Sequence, residues 1–129
     1  MSGLEQCSVS PQRVEKPWGY EVIWALTDAY CGKLLFVRAG HSLSLQYHER
    51  KDESWYVHEG RAELELGTVE GDDHRTQVIA TGDCFRFRPG TVHRVKALED
   101  TLILEVSTPH LDDVVRLEDE YGRAGSARP

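Results

Sequence analysis

GHSLSLQYHERKDESWYVHEG, residues 40–60, decides how this chain folds. Apolar and polar residues alternate through SLSLQY (42–47), ERKD (49–52) is a polar turn, and SWYVH (54–58) returns as a second strand. A period of two places Ser44, Gln46 and His48 on one face and Leu43, Leu45 and Tyr47 on the other. The polar face is expected to line a cavity. The leucine face needs a cover, and a second copy of the chain is expected to supply it, giving a homodimer.

Working outward, similar segments recur as YEVIWA (20–25), LLFVR (34–38), RAELEL (61–66), TQVIA (76–80), CFRFR (84–88), VHRVK (92–96) and TLILEV (101–106). Gly32, Gly40, Gly60, Gly67, Gly71, Gly82 and the Pro89-Gly90 pair punctuate them, and no helical period intervenes. Many short strands at this spacing predict an all-β antiparallel sandwich or closed barrel. GTVEGDDHR (67–75) reads as a solvated hairpin tip. A length of 129 residues suits one domain, spanning 14–123, with a flexible segment at 1–13 and a disordered tail at 124–129.

Fifteen basic against 22 acidic side chains give a net charge of −7, which argues against nucleic acid as a partner. The longest apolar run, Val22 to Leu26, is far below the roughly 20 residues that cross a bilayer, so no membrane association is expected. MSGLEQCSVSPQR (1–13) has no secretory pattern, and Cys7, Cys31 and Cys84 are odd in number and widely spaced. A cytoplasmic location with free thiols is the expectation.

Chemistry concentrates in four side chains. Gln46 and His48 share a face, Glu53 returns on the next strand after the turn, and His93 lies in GDCFRFRPGTVHRV (82–95). Imidazole, carboxylate and amide oxygen together suit one divalent transition metal, whether Zn, Mn, Fe, Co or Ni, with open positions for water or substrate. His41, His58, His74 and His110 have no such company and read as surface or structural residues. There is no GxSxG and no glycine-rich phosphate loop, so neither acyl-enzyme chemistry nor nucleotide binding finds support.

These two blocks resemble the paired motifs of the cupin superfamily. Gly40, Gln46, His48, Glu53 and Gly60 match the first at full spacing, with Gln in place of the more frequent first His. Gly82, Pro89-Gly90 and His93 match the second, with one extra residue before the proline and Ala97 where Asn is common. VEKPWGYE (14–21), Gly32-Lys33, LSLQYH (43–48), Trp55 and DDVVRLEDEYGR (112–123) look like the C-terminal cupin domain of type II mannose-6-phosphate isomerase/mannose-1-phosphate guanylyltransferase. Lys51 stands where that family tends to have Arg, and Ser54 where it often has His. The resemblance implies a stand-alone jelly-roll β-barrel closed by a short C-terminal helix or clasp begun at Asp112, without the guanylyltransferase activity.

The leading expectation is therefore a metal-dependent isomerase interconverting an aldose and a ketose sugar phosphate. Gln46, His48, Glu53 and His93 would hold the metal, Glu105 would act as base with Lys51 assisting, and Lys33, Trp55 and Arg88 would contact substrate. Arg86 and Arg94 are further cations that could meet a phosphate, and Arg116 a further pocket residue. Two alternatives use the same barrel: a noncatalytic sugar or metabolite sensor, and a small metal-dependent oxygenase, lyase or cyclase. Two histidines and one carboxylate are also the ligand set of non-haem iron oxygenases.

Overall fold

The computed structural model describes residues 3–127, a one-turn helix α1 (Gly3–Cys7) followed by strands. These are β1 (Gln12–Lys16), β2 (Gly19–Leu26), β3 (Cys31–Val37), β4 (Leu45–Tyr47), β5 (Glu53–Glu59), β6 (Arg61–Thr68), β7 (Arg75–Ala80), β8 (Cys84–Phe87), β9 (Thr91–Ala97), β10 (Thr101–Ser107), β11 (Val114–Glu118) and β12 (Gly125–Ala127). They form two six-stranded antiparallel sheets, ordered β1-β2-β3-β10-β5-β8 and β12-β11-β4-β9-β6-β7. The all-β expectation holds, and the strands read from the sequence are present, SLSLQY only in part.

Period-two patterning builds the core. Leu35 and Val37 of β3, Ile103 of β10, and Trp55 and Val57 of β5 face inward from the first sheet. They meet Ala62 and Leu64 of β6, Ile79 of β7, and Val95 and Ala97 of β9 from the second. The same inward rows turn charged toward one end of the barrel. Lys33 of β3 sits beside Glu105 of β10, and Glu105 beside Trp55 of β5, in direct cross-strand register. A continuous apolar row thus gives way to a buried polar one, and that polar end is where the cavity opens.

Two expectations are corrected, and of the helix or clasp expected at the C-terminus the chain forms the clasp. Ladder pairing lapses between the isolated bridge at Ser42 and the start of β4, so strict alternation fails there. Leu43, Ser44 and Leu45 are all buried within one chain, and Leu43 packs into the core. Neither leucine requires a second subunit. The C-terminal segment contains no helix: Val114–Glu118 pairs with β4 as an extended clasp, as its adjacent β-branched Val114 and Val115 favour. The segment expected to be disordered contributes β12, paired with β11, while residues 128 and 129 lie outside the described residues. At the other end, α1 and the first residues of β1 fall in the segment expected to be flexible, whose residues 1 and 2 lie outside the described residues.

Gly60 is the one residue between β5 and β6, where the chain passes from the first sheet to the second. Its φ of 104° lies in the left-handed region, and a Cβ there would come within 2.4 Å of the Asp100 carbonyl oxygen. Gly60→Ala is expected to lower unfolding free energy by about 1–3 kcal/mol. Urea unfolding should show an earlier midpoint at unchanged slope. An unshifted midpoint would contradict the close approach.

Candidate functional site

Gln46 on β4 is the register partner of His93 on β9, and Glu53 opens β5 immediately after the 48–52 turn. One potential ligand atom from each of His48, Glu53 and His93 lies within 4.8 Å of the others. All three side chains are buried. His48 Nε2 is 3.0 Å from Glu53 Oε2, and His93 Nε2 is 3.6 Å from Glu53 Oε1. The opposite ring nitrogens fix the tautomers, since His48 Nδ1 donates to the Asp113 carbonyl and His93 Nδ1 to the Thr91 carbonyl at 2.9 Å.

Both Nε2 atoms therefore present lone pairs to a carboxylate. His48 Nε2 and His93 Nε2 have no hydrogen-bond donor among the described residues, and Glu53 Oε2, which they face, meets the ammonium of Lys51. Three buried acceptors facing one another are unfavourable unless a cation lies among them, and two nitrogens with one carboxylate oxygen are a donor set for a divalent transition metal. The residues present fit such an ion. Gln46 lines the same cavity, with its Oε1 accepting a hydrogen bond from Ser44 Oγ at 2.8 Å.

Next to this cluster Lys51 bridges two carboxylates, its Nζ 3.2 Å from Glu53 Oε2 and 3.1 Å from Glu105 Oε2. Burial opposes the charge on Lys51, yet Glu105 and Glu53 outweigh it and hold the ammonium above its ordinary pKa. Burial likewise works against ionised Glu53, but the Lys51 ammonium beside it holds its carboxyl well below the usual carboxylate range. Glu105 is oriented by Trp55, whose Nε1 donates to Glu105 Oε1 at 3.2 Å. Trp55 is itself fixed edge-on against Phe87 and His93.

The cavity has a volume of about 80 Å³ and opens to solvent. It brings together Gln46, His48, Lys51, Glu53, Trp55, Glu105 and Lys33. It does not bring in Arg88, which is exposed beyond the end of β8 and lines a separate surface groove with Phe85 and Pro89. Nor does it recruit His93's neighbour Arg94, which pairs with Glu65 and Glu118, or Arg86, which pairs with Asp52. His41 bonds Tyr121, His74 bonds Glu65 and His110 bonds Thr108, in keeping with structural roles. Sequence reading missed Lys16 and Glu21, both of which line the cavity, although VEKPWGYE had drawn notice as a motif.

Asp113 was also missed. Its carboxylate accepts hydrogen bonds from the backbone N–H groups of Glu49, Arg50 and Lys51 at 2.9, 2.6 and 2.8 Å, while its carbonyl orients His48. Burial raises the Asp113 carboxyl, but the three N–H donors prevail and lower its pKa. A depressed carboxyl adds stability above its unfolded pKa, about 3.9, and that contribution is lost as pH falls through the lower folded value. Asp113→Ala should therefore cost about 2 kcal/mol at neutral pH, the scale of hydrogen bonds to a charged group. The gap between variant and parent in denaturant titrations should shrink below about pH 4. A gap independent of pH would rule out the charged cap.

The Cupin domain family matches residues 34–108. The xanthan biosynthesis protein XanB of Xanthomonas campestris pv. campestris (strain B100) is 34% identical over 118 residues, covering 87% of this chain and 24% of XanB. A mannose-1-phosphate guanylyltransferase of Escherichia coli (strain K12) is 33% identical over 118 residues, with 87% and 23% coverage. The chain thus spans about a quarter of the length of these relatives. Among solved structures, KdgF from Halomonas sp. superposes with a TM-score of 0.65 at 27% identity, covering 79% of this chain and 89% of KdgF. With its barrel, its two motif blocks and a family match over more than half its length, this chain belongs to the cupin family.

Proposed function

We propose that this cupin is a metal-dependent isomerase that interconverts aldose and ketose forms of a sugar phosphate, mannose 6-phosphate and fructose 6-phosphate being the first pair to test. The observation that carries the reading is the convergence of His48, Glu53 and His93 beside the buried Glu53–Lys51–Glu105 chain, with His48, Glu53, Lys51 and Glu105 lining one cavity. The similarity to a mannose-1-phosphate guanylyltransferase and to a xanthan biosynthesis protein supports a sugar phosphate as substrate.

Aldose–ketose interconversion moves a proton between adjacent carbons while negative charge develops on the oxygens. A divalent ion held by His48, Glu53 and His93, with Gln46 beside them, would supply a Lewis acid that polarises the carbonyl. Glu105 accepts the proton at one carbon and returns it at the next. Trp55 holds its other oxygen in place. Lys51, kept protonated between two carboxylates, offers a fixed positive charge to the developing oxyanion. Lys33, buried on the same wall, contributes to substrate binding.

One observation favours a second reading, a sugar-binding cupin without turnover. Glu105 is engaged by both Trp55 and Lys51, and such a tether can hold a carboxylate as a structural anchor rather than a base. A coupled assay with metal-loaded protein decides. Interconversion should be abolished by chelation, restored by a divalent metal and lowered about 100-fold or more in kcat by Glu105→Gln. His48→Ala and His93→Ala should each lose metal affinity in equilibrium dialysis. Saturable sugar-phosphate binding with no turnover would favour the second reading, and metal retained by the double histidine variant would sink the metal site on which the isomerase reading rests.

We propose a homodimer formed through the first sheet. The outward face of the first sheet carries exposed Trp24, Tyr56 and Val106 around the partly exposed Val22, Leu34, Phe36, Leu102 and Leu104, an apolar surface that a second copy would cover. Light scattering should give twice the chain mass, and Leu104→Glu should give the monomer. A parent protein that stays monomeric at high concentration would remove this proposal. A cytoplasmic setting is proposed with it, with Cys7, Cys31 and Cys84 as free thiols. Among the described residues no helix is long and apolar enough to cross a membrane.

A further inference from the structure

Arg116 is buried, 8% exposed, and lines the cavity from β11. Its Nε finds no hydrogen-bond partner, and it makes no ion pair among the described residues. A buried guanidinium left without a counter-charge is costly, and its rigid fork of donors matches a phosphate or carboxylate. Its neighbours sharpen the point. Lys16, at the end of β1, shares the single carboxylate of Glu21 with Lys33, at 3.8 and 3.4 Å. Arg123 is held by Asp119 through two contacts of 2.9 and 3.0 Å. Lys33 also stands beside Glu105 in cross-strand register, so among these cations Arg116 alone makes no ion pair among the described residues. Burial and the repulsion of Arg123 lower the pKa of Arg116; burial, together with Lys33, Arg116 and Arg123, lowers that of Lys16.

We propose that Arg116, flanked by Lys16 and Arg123, is the subsite for the phosphomonoester of the sugar phosphate, leaving the sugar to the metal-ligand cluster and Glu105. The proposal deepens the isomerase reading and rests on its choice of substrate class. A phosphomonoester carries close to two negative charges at neutral pH and three terminal oxygens, enough to meet both the unpaired guanidinium of Arg116 and the loosely held ammonium of Lys16, 3.8 Å from its carboxylate; a sugar acid brings one charge and two oxygens. The bidentate fork of Arg116 and the movable ammonium of Lys16 are complementary donors for a tetrahedral anion. Lys16, Arg116 and Arg123 all lie outside residues 34–108, the stretch shared with cupin domains in general, so the subsite is an addition to the barrel by its two flanking segments.

The test uses the full chain, with and without bound cobalt, and four probes: inorganic phosphate, mannose 6-phosphate, mannose and glucuronate. Isothermal titration at matched ionic strength should show inorganic phosphate and mannose 6-phosphate binding in the metal-free protein. Glucuronate and mannose should bind more weakly there than mannose 6-phosphate. Arg116→Gln should weaken both phosphate probes at least about tenfold, Arg116→Lys less, and Lys16→Gln by an intermediate factor. Cobalt affinity should be unchanged in all three variants, which shows that the barrel and its histidine cluster are intact. The proposal is overturned if phosphate probes bind the parent no better than chloride, or if Arg116→Lys and Lys16→Gln bind them as the parent does. Arg116-dependent phosphate binding without turnover would support the subsite while removing the isomerase reading.

Discussion

The turn between His48 and Glu53 must place three reactive side chains, yet its own backbone has N–H groups that neither sheet can pair. Asp113 resolves this. One carboxylate accepts hydrogen bonds from the N–H groups of Glu49, Arg50 and Lys51, and the carbonyl of the same residue accepts one from His48 Nδ1. The clasp that carries Asp113 is in turn held to β4 by strand pairing. The positions of the imidazole, the ammonium and the carboxylate are therefore set by a residue more than sixty positions along the chain. A turn of polar residues without that acceptor would sample many conformations, and the lone pairs of His48 and His93 would not face one oxygen pair.

This arrangement explains what could be read from the sequence and what could not. His48, Glu53 and His93 were readable because strand periodicity and a short turn dictate which side chains meet. Lys51 and Glu105 could be named individually, but their joint ion chain depends on the register of β5 against β10, which no local pattern encodes. The same limit applies to Leu43. Alternation alone assigns it to an outer face, whereas a lapse in the ladder turns it into the core. Arg88 failed for a related reason: it continues the alternation of CFRFR, but β8 ends at Phe87 and the side chain leaves toward solvent. Asp113 and Lys16 were visible only as parts of longer motifs, because their partners lie on elements remote in sequence.

The barrel is also unusual in what it buries. Toward one end its inner rows hold Glu21, Lys33, Lys51, Glu53, Glu105 and Arg116, where apolar side chains of similar size would pack at lower desolvation cost. Stability comes from the opposite end, where Val37, Val57, Leu64, Val95 and Ile103 close the core. Such a division lets one half of the inner surface hold the fold while the other holds charge in a low-dielectric setting, where electrostatic interactions act more strongly than in water.

The cavity draws its walls from separate stretches of the chain. The histidine cluster belongs to strands within the stretch common to cupin domains, whereas Lys16 and Arg116 sit on β1 and β11, near the two ends of the chain. The two stretches can therefore diverge at different rates. Replacing or retuning the terminal strands could alter which molecules enter, with no edit to the residues that converge on Glu53. A barrel organised this way is a chassis: a histidine–carboxylate cluster carried by the shared stretch, and buried cations added by the edges.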